Sequence, residues 1–478
     1  MVYDVAIIGA GVIGCFLARD LSKYRLKVAV FEKNNDVGNE ISAANSAIIH
    51  SGYDPLPHTK KAKLNVLGNQ MYDQICKDLD VDFKRIGSIT LAIQPSDLKT
   101  LQELHQRAKQ NQVETFLLSK EEVLQLEPQV SFDIFGGLYA PSAGIIDPFN
   151  LCVHLMENAI DNHVQLFLNT EIKKIEKKET FFELNQCYQA KIVINCAGLY
   201  ADEVSQMAKV NPVKLLPRKG EYLVLDHFDT SFLSHTLFLV PSEKGKGVLI
   251  SPTTSGNYLV GPSADLCSKE DKDTDKLTLT QIKKTVSLMV KNLPFSQTIR
   301  TFAGIRPTPL NHDFVIEKTK VKNFIQIAGI ESPGLTAAPA ISKMVIEKYI
   351  AKAIPLVLKK TYKKTIKKYV KVKTLSLAKR NQLIKKDANY GEIVCKCEQI
   401  TKGEILDCFK RSCPPTSIKG LKKRLRVGFG KCQGGMCQNL ALKLLAEKEN
   451  KLLHQIPYDS LSSSIVKEPL GGDLYEKD

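Results

Sequence analysis

Apolar and polar positions divide the start of the chain into a strand, a glycine-rich turn, a helix and a second strand. The apolar run Val5–Ile8 is followed by the stretch GAGVIG (9–14) and then by apolar residues at helical spacing. The stretch KVAVFEK (27–33) is apolar again and contains Glu32. Short apolar runs bounded by turn residues predict buried strands. The pattern therefore predicts a β-α-β unit at the beginning of the chain.

Two later stretches repeat parts of this pattern. AKIVINCAGLYAD (190–202) is an apolar strand that ends in Ala197-Gly198, and NFIQIAGIESPGLTAAPAISKMV (323–345) is a strand, a glycine-rich turn and a helix. Between them lie short runs bounded by turn residues, such as GEYLVL, GVLISP and NYLVGP, and SITLAI lies before them. Such runs predict antiparallel strands. We therefore expect an α/β fold, with a Rossmann-like nucleotide-binding domain and a second domain built on a mainly antiparallel sheet.

Composition places the chain among large globular proteins. It has 478 residues, of which 43% are hydrophobic, but no run of 18 apolar residues that would predict a transmembrane helix. The apolar N-terminus has no basic leading region, so we interpret it as a strand and not as a signal peptide. The twelve cysteines suit free thiols and a thiolate-bound metal in a reducing compartment. These features predict a cytoplasmic protein.

The net charge of +16 is concentrated in one segment. Residues 343–386 contain fifteen Lys or Arg residues and a single acidic residue, Glu347. This pattern predicts a solvated linker with two or three exposed helical faces. Peripheral contact with an anionic membrane surface, on the inner face of the membrane, and contact with an acidic protein partner are the alternatives. No recognition motif accompanies the charge, so nucleic acid is not an expected partner.

The β-α-β unit carries the pattern of a dinucleotide site. Gly9 permits the tight turn, Gly11 lets the backbone approach a pyrophosphate, and Gly14 lets the helix pack on the strand. Glu32 is placed to accept a ribose 2′-hydroxyl, which disfavours NADP. Three nucleotide-facing pieces separated by long insertions favour FAD over NAD.

Two pairs of cysteines lie near the C-terminus. Cys395 and Cys397 form a C-x-C motif, and Cys432 and Cys437 form a C-x4-C motif. Four thiolates from two segments suit a [2Fe–2S] cluster. Zinc is the alternative, although its sites usually show C-x2-4-C in both halves.

Several motifs resemble those of known families. GAGVIG, NSAIIHSG, NCAGLYAD, GIRP and AGIESPGL resemble the FAD-dependent D-amino-acid-oxidase superfamily over residues 3–350. The nearest branch is that of flavin glycerol-3-phosphate dehydrogenases and oxidases, and the L-2-hydroxyglutarate dehydrogenase branch is second. CKCE and GKCQGGMC, within 391–445, resemble the bacterioferritin-associated-ferredoxin-like [2Fe–2S] domain that is fused to such dehydrogenases.

The resemblance implies a domain layout and a set of site residues. His50 would take the substrate's hydroxyl proton, Arg306 would bind its acid group, and Lys246 and Ser332 would lie beside it. The layout is an FAD-dependent oxidoreductase at 1–350 with a substrate cap at about 83–145 and 206–305, a basic linker at 351–390, a small helical [2Fe–2S] domain at 391–445, and a tail at 446–478. The residues implied to bind FAD are Gly9, Gly11, Val12, Ile13, Gly14, Glu32, Lys33, Asn45, Ser46, Ile172, Ala197, Gly198, Gly329, Gly334, Leu335 and Thr336. The residues that would hold the cluster are Cys395, Cys397, Cys432 and Cys437.

The function that follows is oxidation of sn-glycerol 3-phosphate to dihydroxyacetone phosphate by hydride transfer to flavin. Electrons would leave through the cluster to a partner subunit or a quinone-linked acceptor. L-2-hydroxyglutarate, another 2-hydroxy acid or an amino acid is the alternative substrate, because the Arg306 guanidinium suits phosphate and carboxylate alike. A non-catalytic role, in which the cluster domain binds a partner or senses redox state, is a further alternative.

Overall fold

The structure, a computed structural model, describes residues 2–241 and 247–467. Its strands are β1 (Val2–Ile8), β2 (Val28–Phe31), β3 (Ile48–Ile49), β4 (Phe83–Arg85), β5 (Ser88–Ala92), β6 (Phe116–Leu118), β7 (Gly136–Ala140), β8 (Gly144–Ile146), β9 (Gln165–Phe167), β10 (Ile175–Lys177), β11 (Phe182–Leu184), β12 (Tyr188–Asn195), β13 (Leu215–Leu225), β14 (Thr236–Leu239), β15 (Leu249–Pro252), β16 (Tyr258–Gly261), β17 (Asp265–Leu266), β18 (Thr298–Pro309), β19 (Val315–Lys318), β20 (Phe324–Ala328), β21 (Ile393–Cys395) and β22 (Ile400–Thr401). Its α-helices are α1 (Val12–Leu21), α2 (Lys60–Leu79), α3 (Asp97–Gln110), α4 (Lys120–Leu126), α5 (Pro148–Asp161), α6 (Ala201–Met207), α7 (Lys276–Ser287), α8 (Gly334–Val345), α9 (Leu377–Lys386), α10 (Lys402–Phe409), α11 (Ile418–Leu425) and α12 (Gln438–Glu449).

The chain forms two compact units. The first contains residues up to Glu32 and Val37–Ile366, and the second contains Lys33–Asp36 and the residues from Lys367 onward. Within the described residues, no helix is both long and apolar enough to cross a bilayer.

A mixed eight-stranded sheet of the first unit is parallel at its centre and is extended by antiparallel pairing of β10, β11 and β19. β1 pairs in parallel with β2 and β12, β12 pairs in parallel with β20, and β2 pairs in parallel with β9. The run Val5–Ile8 is buried at every position, as expected for a strand covered on both faces. Helix α1 packs against α5 and α8, and α2 packs on α8. The predicted Rossmann-like unit is therefore confirmed.

A larger sheet forms the other half of the first unit. Its order is β17-β13-β16-β15-β14-β5-β7-β6, and β18 pairs with β13 along almost its full length. All of these pairings are antiparallel except that of β14 with β5. The buried side chains of this sheet pack against Ile282 and Val286 of α7. All four strands predicted from short apolar runs lie in this sheet, which confirms the prediction of a mainly antiparallel sheet.

The Lys-rich segment is helical at its two ends. It begins with the end of α8 and a π-helical turn at Ile346–Ile350 and ends with α9, and between Ala351 and Ser376 its only helical element is a short 3₁₀ turn at 372–374. Its first part is held by side-chain hydrogen bonds to its backbone, because Asn158 of α5 and Asn162, which follows that helix, donate their amides to the Lys363 carbonyl at 2.9 and 2.8 Å. This part of the segment is a packed strap of the first unit; Lys359 Nζ donates to the Asn162 carbonyl at 2.6 Å, whereas Lys360 and Lys363 are exposed.

The second unit is small and mainly helical. A β21–β22 hairpin precedes α10, α11 and α12, and apolar side chains from these elements form a single buried cluster. Thr401 and Glu404 form a reciprocal capping box at the start of α10. Inside this unit the buried carboxylate of Asp36 contacts Lys423 at 2.9 Å and Arg424 at 2.7 Å.

Candidate functional site

The glycine-rich turn between β1 and α1 has the tight geometry that a dinucleotide site requires. Gly9 has φ +102°, and a Cβ atom there would lie 2.5 Å from the carbonyl oxygen of Cys196. A Cβ atom on Gly14 would lie 2.0 Å from the carbonyl oxygen of Gly9. Gly11 caps α1, and the N-terminus of this helix is the place where a dinucleotide phosphate binds, although the Val12 N–H donates to Ser42 Oγ at 3.0 Å.

Glu32 lies at the end of β2 beside this turn. It is 8% exposed, and its carboxylate accepts the Ala10 backbone N–H at 2.7 Å. The carboxylate is therefore fixed next to the turn, where a ribose hydroxyl would lie in a dinucleotide complex. Lys33, the next residue, belongs to the second unit.

A cavity of about 950 Å³ opens from this turn within the first unit. It is bounded by the loop after β2, by β13 and β18 of the large sheet, and by the loop that leads into α8. Its size is suited to a cofactor and a small substrate together. The predicted site residues that line it are Gly11, Val12, Ile13, Asn45, Ser46, His50, Gly198, Arg306, Ser332, Gly334 and Leu335.

Other predicted residues do not line the cavity but lie in the elements around it or in the core. Thr336 is fully buried in α8, Ala197 donates its backbone N–H to the Asn195 side chain at 3.1 Å, and Gly329 occupies a positive-φ turn. Ile172 lies in a buried apolar cluster with Phe31. Lys246 lies outside the described residues.

His50 is held by its backbone, with its ring at the cavity wall. Its N–H donates to Thr336 Oγ1 at 2.9 Å, and its carbonyl accepts from the side-chain amides of Asn65 and Asn69 at 3.1 and 2.9 Å. Ring atom Nε2 lies 3.4 Å from Ser332 Oγ. The fold thus brings two predicted residues, 282 positions apart, to one point of the cavity. Asn65 and Asn69 escaped the sequence analysis because helical asparagines carry no motif.

Arg306 presents a charge that no carboxylate of the described residues neutralises. Its Nη2 donates to the carbonyls of Ser263 and Lys219 at 2.7 and 3.3 Å. Its buried Nε has no hydrogen-bond partner among the described residues. An arginine held by carbonyls keeps its full positive charge, so it attracts an anion into the cavity.

A second polar group on the cavity wall was not predicted. Lys61 Nζ contacts Glu331 at 2.7 Å, and Thr308 donates its hydroxyl to the same carboxylate at 2.7 Å. Tyr222 also lines the cavity, where burial raises the pKa of its phenol, so it remains protonated at neutral pH. Glu331 lies within the AGIESPGL motif, which was the only sequence signal for this group.

The four C-terminal cysteines form two pairs in the second unit. Cys397 Sγ and Cys432 Sγ are 3.6 Å apart near the surface, and the buried thiols of Cys395 and Cys437 are hydrogen-bonded to each other. The hydrogen bond from Cys437, with backbone amides, lowers the pKa of Cys395 to about 6.

This arrangement fits a binuclear cluster, because each of two irons takes two thiolates and bridging sulfides complete the coordination. Among the described residues, no three His, Cys, Asp or Glu side chains converge on a single ion.

Comparison with known families agrees with both sites. The sequence profile of the family "FAD dependent oxidoreductase" (DAO) matches residues 4–348. The chain belongs to this family. The profile "BFD-like [2Fe-2S] binding domain" matches residues 393–447. The protein is therefore a flavoenzyme that binds FAD and a [2Fe–2S] cluster, and the predictions of family, fold, cofactors and enzyme class are confirmed.

Similar proteins include two with curated names and one solved structure. The chain is 44% identical to glycerol 3-phosphate dehydrogenase of Caloramator mitchellensis, covering 99% of this chain and 100% of that protein. It is 38% identical to glycerol 3-phosphate oxidase of Mycoplasma pneumoniae, covering 71% and 92% respectively. A structure of L-alpha-glycerophosphate oxidase from Mycoplasma pneumoniae with FAD bound superposes with a TM-score of 0.73 at 34% identity, covering 77% of this chain and 98% of that chain. This flavoenzyme is thus of the glycerol-3-phosphate dehydrogenase type.

Proposed function

We propose that this flavoenzyme oxidises sn-glycerol 3-phosphate to dihydroxyacetone phosphate and passes the electrons onward through its [2Fe–2S] cluster. The observation that carries the proposal is the meeting of His50, Ser332 and Arg306 on one cavity. Oxidation of an alcohol that carries an anionic group requires a base for the hydroxyl proton and a cationic site for the anionic group. The similarity to a full-length relative of that name points to the same substrate.

Both cofactors have residues to hold them. The turn at Gly9 and Gly11, the amides that begin α1 and the carboxylate of Glu32 would hold FAD, and the four cysteines would hold the cluster. When bound, FAD accepts a hydride from the substrate carbon and the cluster carries single electrons.

His50 is suited to take the hydroxyl proton. A neutral imidazole is a general base near neutral pH, and the backbone of this residue is fixed by three hydrogen bonds. Ser332, with Oγ 3.4 Å from Nε2, orients the ring or the substrate hydroxyl. Arg306 binds the anionic end of the substrate and so places the carbinol carbon at the histidine.

The substrate is tested by anaerobic reduction of the flavin in the purified holoenzyme. Glycerol 3-phosphate should bleach the flavin rapidly, whereas L-2-hydroxyglutarate and amino acids should not. The outcome that refutes the proposal is rapid bleaching by a 2-hydroxy acid or an amino acid without bleaching by glycerol 3-phosphate.

The electron route is tested by the fate of oxygen. A chain that exports electrons through a cluster should reduce an artificial one-electron acceptor faster than O₂. Production of one H₂O₂ per substrate at the full turnover rate would make this enzyme an oxidase and remove the proposed role of the cluster.

A further inference from the structure

Two arginines face each other on the wall of the cavity. Arg218 of β13 and Arg306 of β18 are directly paired in the antiparallel register of these strands. Directly opposed residues project from the same face of a sheet, with Cβ atoms about 4.5–5.5 Å apart. Both residues line the cavity. Two guanidinium groups therefore approach the same space from one wall.

Neither arginine is neutralised by a carboxylate of the described residues. The Nε atoms of Arg218 and Arg306 are buried without a hydrogen-bond partner among the described residues. Neither side chain forms an ion pair with a carboxylate of those residues, and the bonds of Arg306 go to carbonyl oxygens.

The neighbouring lysine of β13, Lys219, differs from the two arginines because its charge is matched by carboxylates. Lys219 follows Arg218 and so projects from the opposite face of β13. Its Nζ lies 2.9 Å from Asp271 and 3.4 Å from Glu221, so its charge is matched. The excess positive charge is therefore confined to the face of β13 and β18 that lines the cavity.

Like charges directly opposite each other destabilise a strand pair, and buried donors without acceptors cost further stability. A bound anion removes both penalties. A phosphate monoester carries about −1.5 to −2 charge at pH 7 and three acceptor oxygens, which matches two guanidinium forks. A single carboxylate, with one negative charge, neutralises only one of the two arginines.

We propose that Arg218 acts with Arg306 as a second phosphate-binding residue, and that this pair selects a phosphate-bearing alcohol over a carboxylate-bearing one. The inference rests on the proposed function, because it names the group by which that site recognises its substrate.

The test compares arginine variants of the full-length holoenzyme. Arg218→Gln should raise the KM for glycerol 3-phosphate in flavin reduction about 10- to 100-fold, as expected for loss of a charged hydrogen bond, with a smaller change in the limiting rate. Arg218→Lys keeps the charge and should raise KM less. Arg300→Gln is the matched control, since Arg300 is an exposed arginine of β18 that does not line the cavity.

Inorganic phosphate is a second probe that does not depend on turnover. Its binding, followed by perturbation of the flavin spectrum, should be weaker in Arg218→Gln than in the wild type and unchanged in Arg300→Gln. The inference is overturned if Arg218→Gln and Arg300→Gln share the wild-type KM and the wild-type phosphate affinity. If Arg218→Gln loses FAD, Arg218→Met, which keeps much of the side-chain length without the charge, gives the same comparison, and a wild-type KM and phosphate affinity there overturn the inference equally.

Failure of the proposed function gives a different result. In that case the wild-type flavin is not reduced by glycerol 3-phosphate at all, while the phosphate titration of wild type and variants still decides whether Arg218 belongs to an anion site.

Discussion

Replacing Asp36 by Asn removes the only negative charge from a buried group of three ionic side chains in the second unit. Asp36, Lys423 and Arg424 have side-chain exposures of 3%, 2% and 0%. The carboxylate contacts Lys423 at 2.9 Å and both terminal nitrogens of Arg424, at 2.7 and 2.9 Å. This bidentate geometry is the strongest form of an arginine–carboxylate pair.

The loss in stability follows from these contacts. Breaking a buried ion pair by removing one partner costs about 3–5 kcal/mol, because the remaining charge stays buried. Arg424 keeps hydrogen bonds to the carbonyls of Cys413 and Gly420 at 2.9 and 3.0 Å. Burial already lowers the pKa of Lys423, which can release its proton. We therefore expect the lower end of that range, about 3 kcal/mol, which is about a 100-fold change in the unfolding equilibrium.

The matched control is a second aspartate of the same unit. Asp459 contacts Lys419 at 2.7 Å, but their side chains are 39% and 31% exposed. Exposed ion pairs contribute at most about 1 kcal/mol, so Asp459→Asn should change the free energy of unfolding little.

The assay is urea unfolding of the holoprotein at pH 7, followed by circular dichroism and by loss of the cluster's visible absorption. Asp36→Asn and Asp459→Asn with equal free energies of unfolding would refute the reasoning.

Burial opposes ionisation of Asp36, but the charges of Arg424 and Lys423 outweigh it and hold the pKa of this carboxyl below its ordinary value. The advantage of the wild type should therefore be complete above about pH 4 and shrink as the pH falls further. An advantage that grows on acidification would contradict this.

Three further substitutions test the two cofactor sites. His50→Asn should slow anaerobic flavin reduction by about 10²- to 10⁴-fold with FAD still bound, and an unchanged rate would exclude the histidine as general base. Cys397→Ser should abolish the iron–sulfur signal in electron paramagnetic resonance of the reduced protein and spare flavin reduction, while the exposed Cys187→Ser should keep both; full iron content in Cys397→Ser would contradict the ligand assignment. Gly14→Ala places a Cβ atom 2.0 Å from the carbonyl oxygen of Gly9, so the purified protein should contain little FAD, and a normal flavin content would show that the turn tolerates a side chain.

The sequence by itself determined the parts of this protein whose chemistry is local. The apolar run of β1, the glycine-rich turn and Glu32 lie within 31 residues, and steric demands of the turn select glycine whatever surrounds it. The spacing of Cys395 to Cys397 and of Cys432 to Cys437 likewise marked the four candidate ligands, whereas the fold pairs Cys397 with Cys432 and Cys395 with Cys437. Short apolar runs between turn residues were sufficient to predict the antiparallel sheet, because that periodicity records which face is buried.

Only the tertiary structure decided the features that depend on partners distant along the chain. Arg218 carries no motif, and its meeting with Arg306 is set by the register of β13 against β18, which no local pattern specifies. The inclusion of Asp36 in the second unit depends on Lys423 and Arg424, almost four hundred residues later. The Lys-rich strap packs because Asn158 and Asn162 bind its backbone. Its lysine-rich composition predicted solvent-exposed side chains and gave no sign of these backbone contacts. In each case the deciding interaction is a non-local contact, and its energy exists only once the fold has brought the two segments together.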